Sequence, residues 1–332
     1  MISAPVKLRC WMNKHVKACP LKLLLHRWKK KPPKGPSFFF SALVLAACCL
    51  SFTSATAADT LKLSTWNLDW LLDPTHPGYA QAPPDIPHRT SADISSLASY
   101  AAHLHGDVVA LQEVESPASA GQLFPLAHYR LAISQDHILQ HTALAVRADI
   151  PFEQNPDVTA LDAYATAPAT HHHLRSGLDI TLHQNGQALR ILVVHLKAGC
   201  PDNLPHASRP ACTTLWQQFA ALDDWVATRT QHHEAFAIMG DFNRHLTVHD
   251  PLFLTLLRIA PLDLATAGMA SPCQGGSYFI DHIILGGAAR AWKVPNSLRV
   301  IPLAEETGQN LSDHCPVSIS LRLPSTNQPP QP

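Results

Sequence analysis

Carboxylate, amide and imidazole side chains recur in this sequence beside short apolar runs. The residues concerned are Asn67, Glu113, His195, Asp241, Asn243, Asp281, Asp313 and His314. Burying a carboxylate or an amide is unfavourable by several kcal/mol unless a partner or a metal ion compensates it. One such residue at a strand end is ordinary. Six separate segments predict a common edge where the ends of several strands converge on a ligand site.

The residue types indicate which chemistry this edge could perform. The possible oxygen donors are Asn67, Glu113, Asp241, Asn243, Asp281 and Asp313. Oxygen donors of this kind suit Mg²⁺, Mn²⁺ or Ca²⁺ better than zinc. His195 and His314 can carry protons or neutralise an oxyanion, and the planar guanidinium of Arg175 can grip a phosphate. The set therefore predicts metal-assisted attack of water on a phosphoryl centre.

The elements that must position these residues are short apolar runs with helical segments between them. The runs predicted as strands are 61–66, 108–111, 142–146, 178–182, 189–195, 235–239, 278–285 and 317–321. Several, such as 191–194, are apolar at nearly every position, which indicates burial on both faces. Helices are predicted over 90–105 and 213–230, and the Pro-rich stretch 74–87 is expected to be a surface loop. Alternating strands and helices favour a layered α/β fold.

Six short motifs, in this order, resemble those of the endonuclease/exonuclease/phosphatase superfamily. They are Trp66-Asn67-Leu68, Leu111-Gln112-Glu113-Val114, His195-Leu196-Lys197, Gly240-Asp241-Phe242-Asn243, Asp281-His282 and Ser312-Asp313-His314. Deoxyribonuclease I, abasic-site endonucleases, sphingomyelinases and inositol phosphatases are members of that superfamily. The resemblance spans residues 61–323. It implies a four-layer α/β sandwich, in which two mixed β-sheets pack face to face between helices and the site lies at one edge.

The resemblance also implies roles for residues around a metal ion. Glu113 is similar to the principal Mg²⁺ ligand of the family, with Asn67 and Asp313 close to the metal or its waters. Asp241 and Asn243 resemble the pair that orients or deprotonates the attacking water. Mg²⁺, or Mn²⁺ in its place, is the cofactor that these similarities imply.

A second group of roles concerns the scissile phosphate. His195 and His314 resemble the histidines that contact it, and Asp281 resembles the carboxylate that orients His314. Arg175 stands where the family has a phosphate-binding arginine, although the surrounding residues, 173–178, match only loosely.

Other polar or aromatic residues near the motifs have simpler interpretations. His282 must point to the opposite strand face from Asp281, so we expect a structural role for it. The run 171–173, three consecutive histidines, is interpreted as a solvated loop beside the site rather than a metal ligand set. Asp69 and Asp107 are expected in turns or caps, and Trp66 in the core.

Two departures from the family pattern affect the expected substrate. Deoxyribonuclease I has an arginine two positions after its metal-binding glutamate, where it enters the DNA minor groove. Glu115 occupies that position here, and Thr142 occupies the place of an expected tyrosine. Both departures argue against strong non-specific binding of duplex DNA, which depends on neutralising phosphates.

The charges are unevenly distributed along the 332 residues. Lys+Arg and Asp+Glu both number 25, yet residues 1–57 hold ten basic residues and no acidic one. The remainder, with 15 basic and 25 acidic residues, therefore carries a formal charge of −10. The basic stretch precedes the apolar run Phe38–Leu50 and the small-residue pattern Ala55-Thr56-Ala57, which predicts a bacterial export signal over 1–57. A lipobox-like Leu45-Ala46-Ala47-Cys48 is the competing interpretation, in which Cys48 carries a lipid anchor.

Four cysteines remain after the predicted signal: Cys200, Cys212, Cys273 and Cys315. An even number suits an oxidising compartment, and three pairings are possible. Cys200 with Cys212 is favoured because the two bracket a polar, Pro-containing loop, and Cys273 with Cys315 would follow. A zinc site is the rival interpretation, but the spacings match no known finger or knuckle.

We therefore expect an export signal (1–57), one enzyme domain (58–323) and a disordered tail (324–332). The predicted function is that of an exported, monomeric, periplasmic or secreted phosphodiesterase, with nucleic acid as the first candidate substrate. The alternatives are a phosphatase or a lipid or small-molecule phosphodiesterase on the same site, and a non-catalytic binding protein. No apolar run after the signal reaches the ~18 residues that a transmembrane helix requires.

Overall fold

The computed structural model describes residues 60–164, 173–203, 209–273, 276–303 and 311–325. All of them fall within one unit, Ser54–Pro332. The predicted export signal, with Cys48, lies outside the described residues, as does the chain after Ser325. Among the described helices, none combines the length and apolar character needed to span a bilayer.

Within these ranges, twelve strands form two six-stranded mixed sheets. The first sheet contains β1 (Thr60–Leu71), β2 (Val108–Val114), β3 (Tyr129–Ile133), β4 (His141–Arg147), β11 (Arg299–Val300) and β12 (Val317–Arg322), in the order β11-β12-β1-β2-β4-β3. The second contains β5 (Phe152–Gln154), β6 (Leu178–Gln184), β7 (Gln187–His195), β8 (Phe236–Asp241), β9 (Leu262–Leu264) and β10 (Asp281–Gly286), in the order β5-β6-β7-β8-β10-β9.

The helices follow from local signals in the sequence. They are α1 (Ser91–Leu104), α2 (Pro117–Leu123), α3 (Pro210–Gln231), α4 (Pro251–Ile259) and α5 (Ala289–Trp292). Helix α1 begins with a capping box, in which Thr90 and Asp93 each bond the other's backbone N–H. Helices α2, α3 and α4 each carry proline in the first turn, where its missing N–H costs no hydrogen bond.

Three separate apolar clusters establish the layer order. One lies between the sheets and joins residues such as Leu63 and Val108 to Ile191 and Met239. A second packs the outer face of the first sheet against α1, and a third packs the outer face of the second sheet against α3 and α4. The alternation of strand side chains between two buried faces explains why the central strands are apolar throughout. The predicted four-layer α/β sandwich is confirmed.

Most elements agree with the sequence prediction, and the differences have physical causes. Each of the eight predicted strands and both predicted helices is present, with ends shifted by a few residues. Strands β3, β5, β9 and β11 were not predicted, because they are short and half exposed. The 74–87 loop contains a 3₁₀ turn, Pro77–Gln81. Strand β10 begins at Asp281 rather than at residue 278, so this carboxylate starts a strand instead of ending one.

Strand register brings the polar groups of the second sheet to one edge. Strands β7 and β8 are parallel and pair His195 with Asp241, so their carboxyl ends coincide. Strand β10 is antiparallel to β8 and pairs Asp281 with Asp241, which places its amino end at the same edge. In the first sheet, parallel β1 and β2 pair Asn67 with Gln112, the residue before Glu113.

Two disulfides join the four cysteines, Cys200 to Cys212 and Cys273 to Cys315, which confirms the favoured pairing. Both Cys200 and Cys212 are buried. The buried guanidinium of Arg244 donates to the carbonyls of Cys200 (2.9 Å) and Asn203 (3.0 Å), and it pairs with Asp250 at 2.8 Å. The start of this loop is therefore held by the disulfide and by an ion pair.

We expect the C200S/C212S double variant to lose about 3 kcal/mol of unfolding free energy, as the chain-entropy model gives for so short a loop. Urea unfolding with the Cys273–Cys315 bridge intact measures the loss. Thiol titration of the denatured protein without reductant supplies the control, and four free thiols in the purified wild type would contradict the pairing.

Candidate active site

The Glu113 carboxylate lies at the end of β2, where the backbone leaves the regular strand. Glu113 has a φ of 61°, a left-handed conformation that is uncommon outside glycine and often marks functional sites. Its Oε2 accepts hydrogen bonds from the Trp70 backbone N–H (3.1 Å) and from Gln140 Nε2 (2.6 Å). Its Oε1 accepts one from Asn67 Nδ2 at 3.1 Å. Three donors thus hold the Glu113 carboxylate, and Oε1 keeps a lone pair that none of them uses.

Asn67 links the two sheets, because the same Nδ2 also donates to Asp241 Oδ2 at 3.1 Å. Asp241 is almost fully buried at the end of β8. Asn243 holds it as well, through its backbone N–H to Oδ1 (2.7 Å) and its side-chain Nδ2 to Oδ2 (3.1 Å). Burial and the nearby charge of Asp281 raise the pKa of Asp241 to about 7, although His314 and these donors oppose the rise. Such a carboxylate can exchange a proton near neutral pH.

His314 forms a buried ion pair with Asp281. The His314 Nδ1–H donates to Asp281 Oδ2 at 2.8 Å, while Nε2 lies 3.9 Å from Asp241 Oδ2. Burial lowers the pKa of His314, but Asp281, Asp241 and Asp313 outweigh it and raise that pKa well above its ordinary value. His314 is therefore a cation at neutral pH, and its second N–H points toward the site.

His195 lies on the opposite side of Asp241 from Asp281, at the end of β7. Its Nε2 is 3.6 Å from both Glu113 Oε1 and Asp241 Oδ2. Burial, with the positive charges of Arg175 and His314, holds the pKa of His195 well below its ordinary value, so the ring is neutral. Among the described residues, its buried Nδ1 has no hydrogen-bond partner. The two histidines thus differ in charge because only His314 has a carboxylate directly bonded to it.

Arg175 reaches the site through an intermediary. One of its terminal nitrogens donates to Gln140 Oε1 at 2.8 Å, and Gln140 in turn donates to Glu113. Its Nε is buried without a partner among the described residues. Burial lowers the pKa of Arg175, and the charges of Glu113 and Asp241 oppose that shift. The predicted arginine is therefore adjacent to the site, with one donor unused.

Asp69 and Asp313 complete the polar edge, and the prediction that Asp69 is only a turn residue is incomplete. Asp69 lies close enough to Asp313 and Glu113 that burial and these two carboxylates raise its pKa to about 6, against the opposing effects of Arg89 and His314. Asp313 is mostly exposed, with Oδ1 3.7 Å from His314 Nε2. Sequence reasoning missed the position of Asp69 because β1 loses its register with β2 between Asn67 and Leu71.

One part of this edge could hold a divalent cation. Glu113, Asp69 and Asp313 are hard oxygen donors, and a cation would relieve the repulsion among their charges, which adds to burial in raising the pKa of Asp69. Asp241, Asp281 and His314 also place one ligand atom each within 4.8 Å of one another, but the protonated His314 ring has no lone pair for a metal. The donor set thus fits Mg²⁺ or Mn²⁺. The first group contains the predicted ligands Glu113 and Asp313, with Asn67 bonded to Glu113.

The remaining sequence expectations concern residues around the site. Trp66 is fully buried and donates its indole N–H to the His314 carbonyl (3.1 Å), so it is a core residue that also supports the site. Asp107 accepts from the Lys62 backbone N–H at 2.7 Å in the turn before β2. His173 is exposed and bonds Asp162 at 2.8 Å, while residues 171 and 172 lie outside the described ranges.

His282 points away from Asp281, as predicted from strand alternation. Its Nδ1 lies 2.6 Å from the Thr266 hydroxyl, and its Nε2 lies 3.0 Å from the Arg244 carbonyl oxygen and 3.3 Å from the Leu246 backbone nitrogen. Burial lowers the pKa of His282 to about 4.

We expect this histidine to destabilise the fold in acid. In the unfolded state the His282 ring binds a proton as the pH falls below its ordinary pKa of 6.5, whereas in the folded state it binds one only near pH 4. The contribution of this ring to the unfolding free energy is therefore complete above pH 6.5 and is lost as the pH falls toward 4. The loss from this group reaches about 3 kcal/mol at pH 4. Urea unfolding at several pH values should show a shallower acid loss for His282→Gln than for wild type. The exposed His128→Gln should keep the wild-type slope, and equal slopes for all three proteins would contradict the assignment.

Comparisons with known proteins identify the family and the fold of this chain. The family model described as "Endonuclease/Exonuclease/phosphatase family" matches residues 64–314. No curated protein sequence matches the chain. A humanized TDP2 of D. rerio superposes with a TM-score of 0.54 at 18% identity, covering 80% of this chain and 99% of that one.

Two further structures show the same fold. A 3′ phosphatase, NExo from Neisseria, bound to a product DNA hairpin, gives a TM-score of 0.51 at 19% identity, covering 79% of this chain and 99% of that one. The human Nocturnin catalytic domain with bound sulfate gives a TM-score of 0.51 at 16% identity, covering 79% of this chain and 93% of that one. At these identities the structural likeness establishes the fold alone.

Proposed function

Because the chain belongs to the endonuclease/exonuclease/phosphatase family, we propose that it is a divalent-metal-dependent phosphodiesterase whose substrate is nucleic acid. One observation carries the proposal. Asp241, with a pKa near neutrality, lies between the neutral His195 and the cationic His314. The side-chain amide of Asn67 donates to both Asp241 and Glu113 and so joins the two carboxylates. Members of this family hydrolyse phosphoric esters, and these groups are the ones that such a reaction requires.

Asp241 is the proposed proton acceptor for the attacking water. Its Oδ2 faces the site and is held by Asn67 and Asn243 at 3.1 Å each, so its position is defined before substrate binds. A pKa of about 7 lets it accept a proton near neutral pH. Glu113, Asp69 and Asp313 would hold the divalent cation, with Asn67 beside them. When bound, that cation supplies Lewis-acid polarisation of the phosphoryl group.

His314 and His195 are the proposed donors to the phosphate oxygens. His314 is fixed by Asp281 at 2.8 Å and carries a positive charge, so it stabilises the charge that develops during in-line attack. His195 is neutral and offers a hydrogen bond without a net charge. Arg175 lies behind Gln140, where its unused buried Nε–H can turn toward a phosphate oxygen.

Single-stranded nucleic acid is the preferred substrate in this proposal. Glu115 is buried and bonded to Ser119 (2.7 Å) and His76 (3.1 Å), so no arginine enters a minor groove from this position. The formal charge of −10 over residues 58–332 also opposes tight duplex binding. The Neisseria protein of the same fold was crystallised with a product DNA hairpin, which supports nucleic acid as the substrate class. Export to the periplasm or medium, and a monomeric state, belong to the same proposal.

A substrate panel tests the proposal. Purified protein with Mg²⁺ or Mn²⁺ is incubated with single-stranded DNA, duplex DNA, RNA, a chromogenic phosphodiester and a terminal phosphomonoester. We expect strand cleavage, fastest on single strands. Release of inorganic phosphate from the monoester without strand cleavage would replace the proposal with a phosphatase, and inactivity on every phosphoester would favour a binding protein.

A further inference from the structure

A large groove adjoins the site on the side of Glu113. It has a volume of about 930 Å³, which lies at the upper end of the range for small-molecule sites. Its walls are formed by the segment after β1 and by the loop before β4, which approach each other at Gly78 and Leu139. Gln140 and Arg175 also line it, and Gln140 bonds Glu113 directly. The groove therefore begins where the scissile phosphate would bind.

Trp70 lines this groove in an unusual backbone conformation. Asp69 and Trp70 have φ values of 47° and 57°, and β1 loses register with β2 between Asn67 and Leu71. A left-handed conformation is costly for a bulky residue and persists where the surroundings impose it. The irregularity leaves the Trp70 N–H bonded to Glu113 while its partly exposed side chain lies at the groove. One residue thus contributes both to the site and to the adjoining surface.

Besides Trp70, the groove lining includes the apolar side chains of Pro83, Ile138 and Leu139, together with several histidines and polar residues. Its two carboxylates are turned into the protein. Asp136 accepts from Ser134 and from the backbone and side chain of Ser176, all within 2.9 Å. Glu115 is occupied by Ser119 and His76. An aromatic surface beside the Arg175 guanidinium, with both carboxylates hydrogen-bonded to protein donors, suits a flat heterocycle attached to a phosphate.

We propose that the groove is a nucleobase subsite, in which the Trp70 indole stacks on the base next to the scissile phosphate. The inference rests on the proposed phosphodiesterase function and specifies its substrate as an unpaired strand. In a duplex that base is paired and stacked, so reaching Trp70 would require unpairing it. Alanine substitution at a stacking platform typically weakens binding by about 5- to 150-fold per base.

The test compares two single strands that differ only in the nucleotide next to the cleaved bond. One carries a base there and the other an abasic sugar. Binding is measured by fluorescence anisotropy in EDTA, and cleavage by kcat/KM in Mg²⁺. The variants are Trp70→Ala, Trp70→Phe and Trp216→Ala, the last an exposed tryptophan on α3 outside the groove lining.

Wild type should prefer the base-bearing strand in both assays, and Trp216→Ala should keep that preference. Trp70→Ala should lose the preference, and Trp70→Phe should retain part of it because an aromatic ring remains. Equal binding of the two strands by wild type would overturn the subsite. So would an equal loss on both strands in Trp70→Ala, which would assign Trp70 only to the positioning of Glu113. Absence of all cleavage would defeat the phosphodiesterase function, while the EDTA binding data would still decide the subsite.

Discussion

Glu113→Gln should reduce phosphodiester cleavage by about 10³-fold, since several kcal/mol of charge stabilisation depend on the cation that Glu113 would hold. The amide keeps the size of the side chain and can still accept from the Trp70 N–H, so the fold should survive. It removes the negative charge, and that charge is what a hard divalent cation requires. Burial is the main cause of the raised pKa of Asp69, and the negative charges of Asp313 and Glu113 add to it.

Two measurements separate loss of metal from loss of structure in this variant. The Mg²⁺ or Mn²⁺ concentration for half-maximal activity should rise, while the unfolding free energy should change little. Glu153→Gln is the matched control, because Glu153 is mostly exposed and pairs only weakly with His183 at 3.8 Å. If Glu113→Gln kept wild-type kcat/KM and metal dependence, Glu113 would have no role in metal binding.

Asp281→Asn should lower activity at pH 7 by about 10²- to 10³-fold and move the alkaline limb of the pH profile to lower pH. Asp281 is the nearest source of negative charge to His314, bonded at 2.8 Å. Without that charge, only Asp241 and Asp313 oppose the effect of burial, so the pKa of His314 falls. The ring then loses its proton as the pH rises through a lower value, so the cationic form that stabilises the phosphate disappears earlier.

The profile of kcat/KM from pH 5 to pH 9 measures this effect. Asp224→Asn, an exposed substitution on α3, should leave both limbs in place. An Asp281→Asn variant with lowered activity but an unmoved alkaline limb would assign Asp281 to structural support of β10 rather than to the charge of His314.

The convergence of the site was predictable from the sequence because strand ends obey simple geometry. Asn67, His195 and Asp241 follow apolar runs, and parallel neighbours align their carboxyl ends. The pairing of Asp281 with His314 came from the family resemblance, and the structure places these two side chains in contact. The difference in charge between His195 and His314 was not predictable, since it depends on burial and on which ring touches a carboxylate.

Other features could not be read from the sequence for reasons of tertiary structure. Gln140 was not predicted, because nothing in its local sequence shows that it bridges Arg175 and Glu113. Left-handed conformations at Asp69 and Trp70 carry no glycine signal, so the irregularity in β1 was hidden within an apparently regular strand. The groove beside Trp70 arises from two loops distant in sequence, and only the folded chain brings them together.

The most direct test of the central claim is the metal dependence of single-strand cleavage by the purified protein. The rate is measured after exhaustive treatment with EDTA and again after adding back Mg²⁺ or Mn²⁺ in excess. Metal-dependent hydrolysis at the edge formed by Glu113 and Asp241 predicts no cleavage in EDTA and full recovery on addition of metal. Cleavage that continues unchanged in EDTA would contradict it.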